Sequence, residues 1–298
     1  MFEKSKIKLG IAPIAWTNDD MPDLGGENTF EQCVSEMALA GYMGCEVGNK
    51  YPKDPEILKS YLEPRGLQIA NAWFSAFLLT DGYEKTKDEF IKACEFLRAM
   101  GAKIIGLSEQ SYSIQGKLHT PVFEEKYILS NDEWAILANG LNRLGEIAQE
   151  YDIQLTFHHH MGTVVQTAEE TDRLLYDTDP NFVGLLFDTG HFAYCGENPL
   201  IELSKHHKRI KHVHLKDIRP DMIKKVKDEK LSFLQGVRLG TFTVPGDGAI
   251  DFLPIFKELS DQRYSGWLLV EAEQDPAVAN PFIFAKKARN YICEIAGI

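Results

Sequence analysis

Cysteine is scarce in this chain, positive charge is outnumbered, and no apolar run is long. The five cysteines, Cys33, Cys45, Cys94, Cys195 and Cys293, are odd in number, scattered and without a CxxC pair. That argues against a disulfide framework or a thiolate metal site and for the reduced thiols of a cytoplasmic protein; each reads as a small buried hydrophobe. Lys and Arg number 32 against 44 Asp and Glu, for a net charge of −12. Such a field repels nucleic acid and anionic membrane surfaces, so neither is expected as a partner. No apolar stretch approaches the ~20 residues that span a bilayer, and MFEKSKIKLGIAPIAW has no apolar run ahead of a small-residue cleavage site, so no secretory signal is expected. A Gly-rich phosphate turn after the first strand candidate and a Walker motif are both missing, which weakens a doubly wound nucleotide-binding fold.

What is present is an ordinary globular composition, 44% hydrophobic and 26% charged over 298 residues, enough for a sizeable core. Short apolar runs alternate with longer helical patterns. Strand candidates are 7–14, 43–47, 67–74, 103–108, 153–160, 182–188, 210–216 and 266–273. Between them lie amphipathic segments with start and stop signals. NTFEQCVSEMALAG closes on Gly41, YEKTKDEFIKACEFLRAMG closes on Gly101, and NDEWAILANGLNRLGEIAQEY follows the caps Ser130 and Asn131. Further helices fit 54–63, 167–176, 198–208, 249–260 and 277–296. Eight βα repeats in about 300 residues is the arithmetic of a (β/α)₈ TIM barrel, with a doubly wound sheet as runner-up. No linker-like break divides 1–298. The longest connection, 217–248, reads as a lid inserted after the seventh strand. Its charged stretch 221–232 is expected to be mobile.

Within QLTFHHHMGT (154–163) three histidines stand side by side. Along a barrel strand, alternate residues face the surrounding helices and the barrel interior. Ile153, Leu155 and Phe157 make the helix-facing row, which sends Thr156, His158 and His160 inward. His159 then points away and is expected to be structural, hydrogen-bonded near the neighbouring strand. The sixth strand aims Asp188 inward, the seventh His212 and His214, the eighth Glu271 and Glu273. Four consecutive strands thus deliver metal-capable groups to the C-terminal mouth, where active sites of this fold sit. His158, Asp188, His214 and Glu271 together form a mixed N/O donor set without thiolate, which suits Mn²⁺, Co²⁺ or Fe²⁺ better than a closed structural zinc site. A one-residue slip in register would hand the fifth-strand role to His159. His206 and His207 read as residues of a solvated helix.

LLFDTGHFAYCGENPL, HVHLKD, VPGDGAIDF and GWLLVEAEQDP resemble the xylose-isomerase-like barrels. FHHHMGT combined with FDTGH, HVHLKD and VEAEQDP is similar, more narrowly, to the inosose dehydratases of that superfamily. The resemblance runs from LGIAPIAWTNDD through EAEQDPAVANP, nearly the whole chain. It implies metal ligands at Asp188, His214 and Glu271 and a substrate-contacting histidine at His191. The superfamily's usual fifth-strand glutamate is replaced here by His158. That leaves the ligand shell formally neutral around a divalent ion, which favours elimination over epimerisation.

The implied reaction is loss of water from 2-keto-myo-inositol to a trihydroxycyclohexane dione, with Mn²⁺ or Co²⁺ as cofactor. Glutathione is implied as cofactor or protective thiol. Elimination needs a base for the α-proton and an acid for the departing hydroxyl; the candidates are His191, His160, Glu273 and Lys216, unranked. Lys216 could instead balance Asp217. Glu46, Asn71, Trp73 and Asp247 are candidates for binding the polyol, with Trp16 a second wall residue or core. A sugar isomerase or epimerase on the same barrel is the nearest alternative. A related nuclease would want a basic surface, and a non-catalytic metal barrel a closed shell. A small polyol ketone is the expected partner, and a homo-oligomer stays open.

Overall fold

The computed structural model describes residues 2–298. Its strands are β1 Ile7–Ile11, β2 Gly44–Glu46, β3 Gln68–Asn71, β4 Trp73–Ala76, β5 Ile104–Glu109, β6 Gln154–His158, β7 Val183–Asp188, β8 Ile210–Leu215, β9 Asp217–Ile218, β10 Phe242–Thr243 and β11 Gly266–Val270. The helices are α1 Phe30–Leu39, α2 Pro55–Leu62, α3 Tyr83–Ala99, α4 Asn131–Glu150, α5 Ala168–Asp177, α6 Thr189–Cys195, α7 Pro199–His206, α8 Pro220–Asp228, α9 Phe233–Arg238, α10 Phe252–Asp261 and α11 Pro281–Ala296. The parallel sheet runs β3-β2-β1-β11-β8-β7-β6-β5-β4. Its two ends are halves of one kinked strand, expected as 67–74: β3 pairs with β2 and β4 with β5. Around the kink, Val47 N–H donates to Asn71 O and Gly106 N–H to Ala72 O. The ring therefore closes through residues 68–76, giving the expected barrel.

Alternation sorts the side chains as the pattern requires. Leu155, Phe157, Val183, Leu185, Phe187, Val213, Leu215, Leu268 and Val270 join the core shared with the helices. On the inner side, Leu186 and Leu269 fill the floor. A Cβ on Gly106 would stand 2.9 Å from Leu186 Cδ1, and one on Gly10 2.8 Å from Leu269 Cδ1. Glycine at these two positions makes room for the plug. β7 is buried along its full length, as a continuous apolar run in a parallel sheet should be. Capping boxes at Ser130/Glu133 and Thr167/Glu170 start α4 and α5.

The segment 217–248, expected as a lid, has secondary structure and a core of its own. It folds into an antiparallel pair, β9 with β10, plus α8 and α9. Ile218, Ile223, Val226, Phe233, Leu234, Val237 and Phe242 bury together with Met21, Leu24, Val122, Met161 and Tyr194. Ile223 and Val226, at helical spacing, and Leu231 beyond them face this second core, while the charges that dominate the composition face solvent. Arg238 Nη2 also ties α9 to Asp23, 2.7 Å from its Oδ2.

Candidate metal centre and mouth cavity

The strand ends bring the four expected donors together. One ligand atom each from His158, Asp188, His214 and Glu271 lies within 4.8 Å of all the others, and all four residues are buried. Register is the reason: Asp188 stands opposite His214 and His158 opposite Leu186, one pleat below. Asp188 divides its oxygens. Oδ1 accepts from His191 N–H at 2.9 Å and caps α6, while Oδ2 lies 3.4 Å from His158 Nε2 and 3.7 Å from His214 Nδ1. His214 Nδ1 also meets Glu271 Oε2.

These donors fit a divalent cation. His158 Nδ1 and His214 Nε2 have no hydrogen-bond partner among the described residues, and His214 Nδ1 and Glu271 Oε2 face each other. Buried polar atoms rarely stay unpaired without a function, and an N₂O₂ set without thiolate suits a divalent ion of intermediate hardness. Burial pushes the Asp188 carboxyl up, but the Lys216 charge and the His158 contact outweigh it and hold it at about 2. Glu271 is likewise held well below the carboxylate range by Lys216 and His214 despite its burial. Both carboxylates therefore stay ionised, as ligands must.

Lys216 is fully buried at the centre of this charge. Its Nζ lies 3.0 Å from Glu273 Oε1, 3.1 Å from Glu271 Oε1, 3.1 Å from His191 Nε2 and 3.6 Å from Asp188 Oδ2. Pairing with Asp217 does not occur. That carboxylate instead accepts backbone N–H bonds from Ile218, Gly246, Gly248 and Ile250, because the turn after β10 wraps around it. The Lys216 backbone is clamped by Thr189 Oγ1, which accepts from its N–H at 2.9 Å and donates to its carbonyl at 2.7 Å.

A cavity of about 100 Å³ opens above the donors, lined by Pro13, Ile14, Asp19, Asp20, Glu46, Val47, Trp73, Gln115, His160, Glu271 and Glu273. Of the proton-handling candidates, only His160 and Glu273 reach it. Burial pushes the Glu273 carboxyl up to about 7, against the pull of Lys216. His160 is held well below the imidazole range by burial and by the neighbouring His158. Its Nδ1 lies 2.8 Å from Met161 O, an acceptor, so Nδ1 carries the proton and Nε2 presents a lone pair 3.9 Å from Glu273 Oε1. His191 stands behind, its Nδ1 3.3 Å from the Met161 amide and its Nε2 against Lys216. A neutral ring accepts on one nitrogen only, so those two donors compete for it.

Other sequence candidates separate. Glu46 lines the cavity, where burial raises its carboxyl to about 7, and it accepts from Asn71 Nδ2. Trp73 meets His158 and His160 edge-on at 5.5 and 5.7 Å. Trp16 is core, its Nε1–H donating to Glu36 at 2.6 Å. Asp247 is not a lining residue; it pairs with Arg219 at 2.5 Å and with Lys287, and accepts from Thr243. His159 points away as expected, but neither ring nitrogen has a hydrogen-bond partner among the described residues. It packs on Phe192 instead, ring centroids 3.9 Å apart. His206 is buried, not solvated, with Nε2 3.0 Å from Asp172 and 3.4 Å from Glu202. Asp19, Asp20 and Gln115 escaped the sequence reading. They sit in loops after β1 and β5, and the WTNDD acidic pair was their only signal.

Residues 34–291 match the family described as xylose isomerase-like TIM barrel. Over 298 residues, the full length of both chains, this chain is 62% identical to the inosose dehydratase of Clostridium botulinum (strain Alaska E43 / Type E3). It is 59% identical, also over both full lengths, to that of Geobacillus thermodenitrificans (strain NG80-2). Among solved structures, the IOLI protein with a zinc atom bound is similar with a TM-score of 0.70 at 19% identity, covering 97% of this chain and 98% of that one. D-psicose 3-epimerase in the presence of D-fructose also gives 0.70, at 17% identity over 98% and 100%. At such identities the likeness is one of fold.

Proposed function

The chain belongs to the inosose dehydratases among the xylose isomerase-like TIM barrels, and from that premise we propose that its mouth cavity dehydrates 2-keto-myo-inositol in the cytoplasm as a step of inositol breakdown. The enzyme is a hydro-lyase of the barrel-mouth type. The observation that carries the site assignment is the convergence of His158, Asp188, His214 and Glu271 within 4.8 Å. Mn²⁺ or Co²⁺ held by these four would supply a Lewis acid for the ketone oxygen and stabilise the negative charge that develops there.

The chain's own groups handle the protons. His160 Nε2 takes the proton α to the carbonyl, and the protonated Glu273 carboxyl gives its proton to the departing β-hydroxyl, which leaves as water. Burial depresses the basicity of His160, but Glu273 becomes an anion 3.9 Å away as it donates, and that charge favours proton uptake on the imidazole. Return of the proton from His160 to Glu273 resets the pair. Lys216 and His191, which do not line the cavity, act from behind: Lys216 keeps Glu271 ionised and orients Glu273. Trp73, Pro13 and Ile14 supply an apolar wall for the ring's C–H face, and Glu46, held from behind by the buried Asn71 amide, binds hydroxyls. The segment 217–248 is a packed part of one barrel domain and covers the mouth.

The test pairs metal analysis of the purified protein with an ultraviolet assay for the dione, run with and without added glutathione. One equivalent of cation and dione formation are expected, both lost in His214→Ala with the circular dichroism preserved. Formation of an epimer without dione would overturn the dehydratase reading. Full metal content in His214→Ala would overturn the ligand set.

A further inference from the structure

The cavity rim carries more negative charge than the cation and the proton pair use. Five of its lining residues are carboxylates, Asp19, Asp20, Glu46, Glu271 and Glu273, and no lysine or arginine lines it among the described residues. Lys216 balances Glu271 and Glu273 from beneath. Asp19 and Asp20 have no ion-pair partner within 4.0 Å among the described residues, and both carboxyls are pushed up by partial burial at the mouth. Asp20 is nonetheless fixed. Asn18 Oδ1 accepts from the Asp20 and Met21 amides at 2.9 and 3.0 Å, and Gln115 Nε2 donates to Asp20 Oδ2 at 2.7 Å. That last bond joins the loop after β1 to the loop after β5, so Asp20 is braced across the mouth with its other oxygen left to accept.

We propose that Asp19 and Asp20 form a specificity rim that accepts hydroxyls of an uncharged polyol ring and turns away phosphate- or carboxylate-bearing ketones of similar size. This rests on the dehydratase reading of the same cavity. Carboxylate oxygens are strong acceptors for ring hydroxyls, and an adjacent apolar wall suits the carbon face between them. For an anionic ligand the same oxygens, open to water at the rim, are like charges that each cost a few-fold in affinity after screening. The barrel and its donor set accept any ketone that reaches them; the rim decides which one does.

The test uses the metal-loaded enzyme and two competitive ligands, myo-inositol and a myo-inositol monophosphate, and reads the ratio of their inhibition constants. Asp19→Asn/Asp20→Asn should narrow that ratio by about tenfold, roughly threefold per charge. Asp23→Asn, on the same loop but bonded to Arg238, should leave it within about twofold. Metal content is measured on each variant, because rim charge also draws a cation inward; a ratio that moves only when metal is lost overturns the proposal. So does a change below about twofold in the double variant, or an equal change in Asp23→Asn. Absence of dione formation by the wild type would instead overturn the dehydratase reading, while the ratio stays measurable by calorimetry.

Discussion

Replacing Gly190 by alanine puts the site's architecture to a test of sign. Gly190 lies in α6, in the DTGH run. A Cβ there would stand 2.5 Å from Lys216 Cγ and 2.8 Å from both Cβ and Cδ. These are stem atoms, and the Lys216 backbone cannot withdraw because Thr189 Oγ1 holds both its N–H and its carbonyl. Intrinsic helix preference alone would make Gly190→Ala stabilising by up to ~1 kcal/mol. Overpacking in a closed site costs about 1–3 kcal/mol, so the net expectation is a loss of about 1–2 kcal/mol. A displacement of Nζ by about 1 Å from Glu271 and Glu273 should also lower kcat on the order of 10²-fold. Urea unfolding at fixed Mn²⁺ and steady-state dehydration measure the two effects. In a Lys216→Gly background, where Cβ, Cγ and Cδ are all gone, the same substitution should cost less than about 0.5 kcal/mol. Wild-type stability and kcat in Gly190→Ala would refute the reasoning.

His160→Ala should keep its metal but lose ~10²–10⁴-fold in kcat, measured as dione formation beside metal analysis, because it sits above the donors and only moves a proton. His159→Leu should be close to neutral in stability, since both ring nitrogens are already unpaired in an apolar site. His159→Ala should cost about 2–4 kcal/mol by urea unfolding through loss of packing on Phe192; metal loss in His159→Ala would show that the β6 donor is misassigned. Stripping the cation should lower the melting temperature, and refilling to 1,000 times Kd should return about 4 kcal/mol. Glu109, buried at the end of β5, has its carboxyl pushed up to about 7 by burial. The folded state therefore binds its proton more tightly than the unfolded chain does. The resulting stability, about 3 kcal/mol at most, is complete below pH ~4.5 and lost as pH rises through ~7. Unfolding free energies of Glu109→Gln between pH 5 and 8 should lack that slope.

The barrel and the donor set were legible in the sequence because strands obey a period of two. Once Phe157, Phe187, Val213 and Val270 were placed against helices, the pleat alone sent His158, Asp188, His214 and Glu271 to the other face. Helix starts were legible for a similar local reason: Ser130 and Thr167 each bond a backbone N–H three residues on. What the tertiary structure decided lies where no local period operates. Lys216 turns to Glu271 and Glu273 because Asp217 is already taken by amides of the turn 246–250, a contact across some thirty residues of chain. His206 is buried because α5 packs beside α7 and brings Asp172 to it. The charges of 221–232 masked α8, whose Ile223 and Val226 join the cluster that α9 shares. Asp19, Asp20 and Gln115 meet only because loops from separate strands bend over the same mouth, and a loop's path is set by what it packs against rather than by its own sequence.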